Sequence, residues 1–586
     1  MPEYDVIIRR GTVVDGTGLA RFTDDLAVEG GRIARIGGLA RARARVEIDA
    51  DGLIVAPGFV DTHTHYDAQL FWDPYCTMSG WHGVTTVVIG NCGFGFAPCR
   101  PSDRDRMMLS LTRNEQISYE AMREALPWDW VSFPEFLDSL DRQPKGVNVV
   151  TYAPATPIIV WAMGGYEAAK RRRPGPAELS VVKEQIHECM DAGAVGFSLQ
   201  RLGEHSIQPD YDGSPMVTDV MTDDEAFAMA EVLAERREGG IQLTYAPLGD
   251  KLDNLSDAFG SKVVFDFEEE LARRSGRPVL HNVFFAVRGM EEVHQAAMAW
   301  LESCHARGLQ VYGQGETNRN YQQFNWLTWN GFDIAPAWKK ALMGTPAERL
   351  ANLKDPAHRA AMVADRPWLV PLEAMGMRLE DFQVVSVPDH TPHLQRYVGR
   401  TLGQISADEG GRDLIEIMID LAVESELLVE MKSPLSRLPD EEGTAAMIRT
   451  GKVIPGISDG GAHTKYFVGG SYTTDFLCWL VRDTGTLTLE EAHVALSALP
   501  ARIVGLQNRG TIREGQPADL VIYDLDALGQ EPPDSYLTLH DLPGGDWRRV
   551  RTSTGYHYTM VNGEITFRGM ECTGATPGRL LRWGRG

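Results

Sequence analysis

Cysteine is scarce: seven are scattered over 586 residues, an odd number without paired spacing. That excludes a disulfide framework and points to a reducing compartment. No run reaches the ~18 apolar residues of a membrane span, and the start Met1-Pro2-Glu3-Tyr4-Asp5 lacks the basic and apolar regions of a signal peptide. A soluble, cytoplasmic protein is expected. Positive charge is the minority sign, with 57 Lys and Arg against 81 Asp and Glu, a formal net charge of −24. Such a mean field repels polyphosphates and anionic lipid, so neither nucleic acid nor a membrane is an expected partner. A dinucleotide fingerprint is missing too: Gly90 to Gly95 follows a strand but lacks the Gly-x-Gly-x-x-Gly spacing and the later acidic residue.

Short β-branched runs punctuated by glycine turns open the chain: Val6-Ile7-Ile8, Val13-Val14, Leu26-Ala27-Val28 and Val46-Glu47-Ile48. The same grammar returns near the end in Ala518 to Tyr523 and Tyr558 to Ile565. This is an antiparallel pattern, and neither half has enough strands for a core. The spacing predicts one small composite β-sandwich formed from both termini. Between them, apolar runs at Phe59–His65, Val84–Ile89, Val147–Tyr152, Ala194–Ser198, Ile241–Tyr245, Val279–His281, Leu309–Tyr312 and Val453–Ser458 alternate with amphipathic stretches such as Asp224–Arg237 and Arg412–Glu424. Eight strands with helical crossovers are the count of a (β/α)8 barrel, here a distorted TIM barrel in an α/β chain. The expected division is 1–57 for the N-terminal part of the sandwich, 58–505 for the barrel, and 506–586 for the C-terminal part and tail. An insertion at about 316–450, rich in aromatics such as Trp326, Trp329 and Trp338, is expected to cover the barrel mouth.

Where the first barrel strand ends stands Gly58-Phe59-Val60-Asp61-Thr62-His63-Thr64-His65. Alternate residues of an extended segment share a face, so His63 and His65 point together into the C-terminal mouth, where barrel enzymes keep their sites. Two convergent imidazoles there are half of a metal site. The bland alternative is a pair of buried structural histidines.

The chain resembles the amidohydrolase superfamily, and within it the N-acyl-D-amino-acid deacylase (D-aminoacylase) family. The resemblance runs through Ala56 to His65, Gly83 to Gly93, Gly196-Phe197-Ser198, Ser458 to His463, Gly515 to Leu520 and Val561-Asn562-Gly563, nearly the whole length. The Pro-Gly-x-x-Asp-x-His-x-His element is highly specific for the superfamily, and Gly-Asn-Cys-Gly is fairly specific for the deacylase branch. The resemblance implies a metal-dependent hydrolase, usually zinc, on the barrel-plus-sandwich frame. It places a metal-binding cysteine on Cys92, a further ligand on His281, and on Asp459 a carboxylate that touches metal and shuttles protons. A soft thiolate beside imidazoles favours zinc.

Departures from the family pattern matter equally. The fifth strand, which normally ends in a histidine ligand, ends in Tyr245, and no lysine follows the fourth strand in Ala194 to Leu199. One firmly bound zinc ion is expected, with Cys92, His281 and Tyr245 as candidates for a weaker second. Thr151 to Thr156 also lacks the histidine and later arginine that related deacylases tend to carry, which points toward a bulkier or non-carboxylate substrate. Arg201, His205 and His463 are candidate substrate contacts, with surface charge and a helix start as their alternatives. The expected activity is hydrolysis of an N-acyl amide by metal-activated water, with Asp459 moving the proton. Two rivals stay open: hydrolysis of cyclic amides, esters or lactones on the same site, and a catalytically inactive barrel scaffold. A small-molecule substrate and a homo-oligomer are the expected partners.

Overall fold

Short β-branched runs become buried strands where the pattern places them. The computed structural model describes residues 2–204, 206–246, 262–374, 377–435, 439–532 and 535–584. The eight central strands are β1 (Phe59–Asp61), β2 (Val84–Ile89), β3 (Asn148–Thr151), β4 (Gly196–Arg201), β5 (Gly240–Tyr245), β6 (Val279–Phe284), β7 (Val311–Glu316) and β8 (Val453–Gly456). Strands β1, β2 and β3 pair in parallel in that order. After Tyr152, Ala153–Pro154 leads a six-stranded parallel sheet that continues through β4, β5, β6 and β7 to β8. Past their ends, β1 and β8 meet: Thr64 bridges Gly460 in parallel, the His65 N–H donates to Gly460 O at 2.7 Å, and Ser458 Oγ donates to His63 O at 2.7 Å. The result is an α/β fold.

Buried parallel strands read as continuous apolar runs because both faces are covered, and β2, Val-Thr-Thr-Val-Val-Ile, is buried at every position. One face packs on helices, where Leu243, Val279, Val311 and Val453 join Leu271, Leu301 and Met447 in the main core. The other face holds Leu280, Tyr312 and Ile454, then turns polar toward the strand ends with Gln242, Asn282 and Gln314. Each fully buried Leu, Ile or Val stabilises by roughly 1.5–3 kcal/mol, so this inner and outer division is strongly fixed. Gly58 is required where β1 begins, because a Cβ there would lie 2.2 Å from the Thr85 side chain.

The two termini share one nine-stranded sheet, joined where Ile54–Pro57 pairs antiparallel with Leu520–Tyr523. The tail then returns to the central strands: Leu580 bridges Val149, and Trp583 packs on Val88, Val150 and Val195. Residues of the insertion build a separate core around Phe324, Trp326, Phe332 and Trp338, which includes Tyr466 from beyond β8. Among the described residues, no helix is long and apolar enough to cross a membrane.

Candidate metal centre

Left-handed backbone turns aim the side chains that gather at the strand ends. After β2, Gly90, Cys92 and Gly93 all have positive φ, at 74°, 57° and 74°. Glycine is at ease there, whereas Cys92 is strained by about 1–2 kcal/mol. The turn is braced by Asn91 Nδ2, donating to Thr64 O at 3.1 Å and Val88 O at 2.9 Å, and by the Cys92 N–H, donating to Gln242 Oε1 at 2.7 Å. After β8, Asp459 and His463 also adopt positive φ, 45° and 52°. Strain of this kind persists only where surrounding contacts over-determine it, as at functional sites.

His63, His65 and Cys92 converge: their ligand atoms lie within 4.8 Å of one another, all three buried. Cys92 Sγ is 3.3 Å from His63 Nε2. Asp459 Oδ1 is 3.3 Å from His63 Nε2 and 3.7 Å from His65 Nε2, beside the trio. His63 Nδ1 faces Gln314 Oε1 at 3.1 Å, while Gln314 Nε2 donates to Thr62 Oγ1 at 2.8 Å. With the amide in this orientation the Nδ1–H donates to Gln314 Oε1, and Nε2 turns its lone pair toward the cluster, as a metal-bound imidazole requires. His65 Nε2 is buried without a hydrogen-bond partner.

Electrostatics favour a positive guest. Burial holds His63 below the ordinary imidazole value despite Asp459 nearby. Burial, with Glu115 and Asp459 adding to it, pushes the Cys92 thiol well up, and a divalent cation reverses that by stabilising the thiolate. Two imidazoles, a thiol and a carboxylate, with an orphaned ring nitrogen among them, fit a cation of the zinc type.

Other expected residues go elsewhere. His281 lies on the helix face of β6: Nδ1 stands 2.8 Å from buried Glu268 Oε1, in helix α1 (Lys262–Ser275), and the ring meets Phe284 edge-on. It does not join the trio. The reason is the strand's period of two: its neighbour Asn282 faces the site, its Oδ1 accepting from Gln242 Nε2 at 2.7 Å and Thr244 Oγ1 at 3.0 Å. Tyr245 is likewise displaced. Thr244, not Tyr245, contacts Cys92 Sγ, at 3.2 Å, while Tyr245 packs on Phe267 with ring centroids 4.6 Å apart. Arg201 donates to Asp223 at 2.8 Å and lies over Phe267, so it turns away from the cluster. His205 lies outside the described residues. His463 is buried with Nε2 3.2 Å from Glu115 Oε2, and its ring stacks on Phe467.

Glu115, Gln314, Gln242, Thr244 and Asn282 escaped sequence reasoning. The strand residues were readable in principle as partners of the face opposite Val279 and Leu243. Glu115 follows helix Arg104–Asn114, and nothing local marks it. Burial disfavours its charge, but His65 and His463 outweigh that and hold the carboxyl below its usual range.

The model of the amidohydrolase family matches residues 46–254 and 406–567, well over half the chain. The chain belongs to the amidohydrolase family. Relatives match along their full length: an N-acyl-D-glutamate deacylase of Alcaligenes xylosoxydans xylosoxydans is 26% identical over 589 residues, covering 99% of this chain and 97% of its own. An uncharacterised protein of Mycobacterium tuberculosis is 26% identical over 597 residues, covering 97% and 92%. With this family and these deacylase relatives, the chain is a hydrolase of carbon–nitrogen bonds outside peptides. The fold is shared with the N-acyl-D-glutamate deacylase of Bordetella bronchiseptica, a crystal structure with zinc and a phosphonate mimic of the tetrahedral intermediate (TM-score 0.65, 23% identity, 99% of each chain). D-aminoacylase is similar at TM-score 0.64 and 21% identity, covering 99% of this chain and 100% of its own.

Proposed function

We propose that this amidohydrolase cleaves an N-acyl amide bond with activated water at the cluster of His63, His65, Cys92 and Asp459. The observation that carries the reading is the convergence of the first three with Asp459 beside them. His63 and His65 would hold the cation through Nε2 and Cys92 through Sγ, donor chemistry that favours zinc. A bound zinc ion supplies an acidified water and polarisation of the scissile carbonyl. Asp459 Oδ1 accepts the proton of the attacking water and returns it to the leaving amine, which departs poorly without one. Gln314 Oε1, facing His63 Nδ1, suits the tautomer that frees Nε2 for the cation. One cation is expected rather than two, because the site-facing positions near the ends of β5 and β6 hold Thr244 and Asn282, and His281 and Tyr245 face the helices.

We read the frame as a sandwich formed by both termini around a (β/α)8 barrel; the contacts of Thr64 and His65 to Gly460, between the first and last strands, support that reading. The deacylase relatives take N-acyl-D-glutamate and N-acyl-D-aspartate, as their names state. Here Arg201 is engaged with Asp223, which supports a substrate other than a simple N-acyl-D-amino acid. The test is zinc per chain, followed by a screen of N-acyl-D-amino acids beside acyl amides lacking a carboxylate. About one zinc and turnover of the second group uphold the reading. A protein that binds no divalent cation sinks it.

A further inference from the structure

Two carboxylate oxygens stand beside the same ring nitrogen. Asp459 Oδ1 is 3.7 Å from His65 Nε2, and Glu115 Oε2 is 3.6 Å from it. Both separations are too long for a hydrogen bond. They resemble the roughly 3.3–3.5 Å between two donors of one tetrahedral ion whose bonds are about 2.0–2.1 Å. Glu115 is only 1% exposed; its Oε2 lies 3.2 Å from His463 Nε2, while Oε1 and His65 Nε2 have no hydrogen-bond partner.

The carboxylate is also rigidly presented. Asn114 Oδ1 accepts from the Glu115 N–H at 2.8 Å, and Glu115 O accepts from the His463 N–H at 2.6 Å. That second bond ties Glu115 to the left-handed turn carrying Asp459 and His463. A built, buried acid aimed at a candidate ligand, with one oxygen left unpartnered beyond the His463 contact, asks for a cation.

We propose that Glu115 is a further donor to the cation of this site, supplying a carboxylate on the His65 flank as Cys92 supplies a thiolate on the His63 flank. The proposal rests on the metal reading above. Glu115 stands outside the tight trio, so its role is to draw the ion toward His65 and Asp459, opposite the pull of the thiol.

The test uses full-length protein stripped of metal, titrated with Zn2+ against a chromophoric chelator and with Co2+ followed by its visible spectrum. Glu115→Gln, nearly isosteric, is expected to weaken zinc affinity about tenfold or more, within the range for lost partners of a metal site, and to change the cobalt ligand-field bands. Glu115→Asp, which keeps the charge, regains part of the affinity. Zinc affinity and cobalt spectra of Glu115→Gln identical to wild type would overturn the proposal and leave Glu115 as the partner of His463 alone. Wild type that binds neither ion would instead remove the metal reading itself.

Discussion

Replacing His281 by alanine separates the two faces of β6 experimentally. The ring is buried, and its Nδ1 stands 2.8 Å from Glu268 Oε1, itself fully buried. Taking away one partner of a buried ion pair leaves the other charge uncompensated, at a cost of about 3–5 kcal/mol. Burial already pushes the Glu268 carboxyl up, with His281 opposing that shift. Without the imidazole the carboxyl rises further. A group whose folded value is raised binds more protons in the native state, so stability falls as pH rises through that window. The cost is therefore expected at its full ~3–5 kcal/mol at pH 7–8 and smaller near pH 5. Urea unfolding across that range measures it, and the double variant His281→Leu, Glu268→Leu should recover most of the loss. Zinc per chain, measured on the same preparations by elemental analysis, should stay at the wild-type value. A variant that keeps wild-type stability but loses its metal would show His281 to be a ligand and refute the strand-face argument.

Gln314→Leu removes the polar partner of His63 Nδ1 and is expected to weaken zinc affinity about 10–100-fold, while Gln314→Glu supplies an acceptor and retains most of the affinity; chelator competition reads both. In the metal-free protein, burial opposes the charging of His463, but Glu115 outweighs it and raises the imidazole, while Glu115 is lowered. Stability from Glu115 is present above its ordinary value of about 4.3 and lost as pH falls through the lowered one; stability from His463 is present below about 6.5 and lost as pH rises through the raised one. Unfolding free energy compared between wild type and His463→Gln should therefore differ most between roughly pH 4.5 and 6.5 and converge above and below; a difference that does not vary with pH would contradict the pairing.

The His63-x-His65 pair was legible because two residues apart on an extended segment share a face whatever the rest of the chain does. Cys92 was legible only through the motif around it; the structure supplies the reason, a left-handed turn flanked by glycines and braced by Asn91. His281 and Tyr245 misled because a strand can be read in either phase. A one-residue difference moves a side chain from the site to the helix layer, and Leu280 and Asn282 took the inner positions. Glu115 left no trace, because its meaning depends on His65 and His463, the latter 348 residues away, and no local pattern records that meeting.

By itself the sequence determined the parallel strands, the strand grammar shared by the two ends, and the shared face of His63 and His65, since each follows from local periodicity; Cys92 came through the resemblance of its motif. Only the tertiary structure decided which face His281 and Tyr245 occupy, that Gln314 faces His63, and that Glu115 comes beside His65. Those depend on which helix buries against which strand, a competition among long-range contacts that no short window of sequence contains.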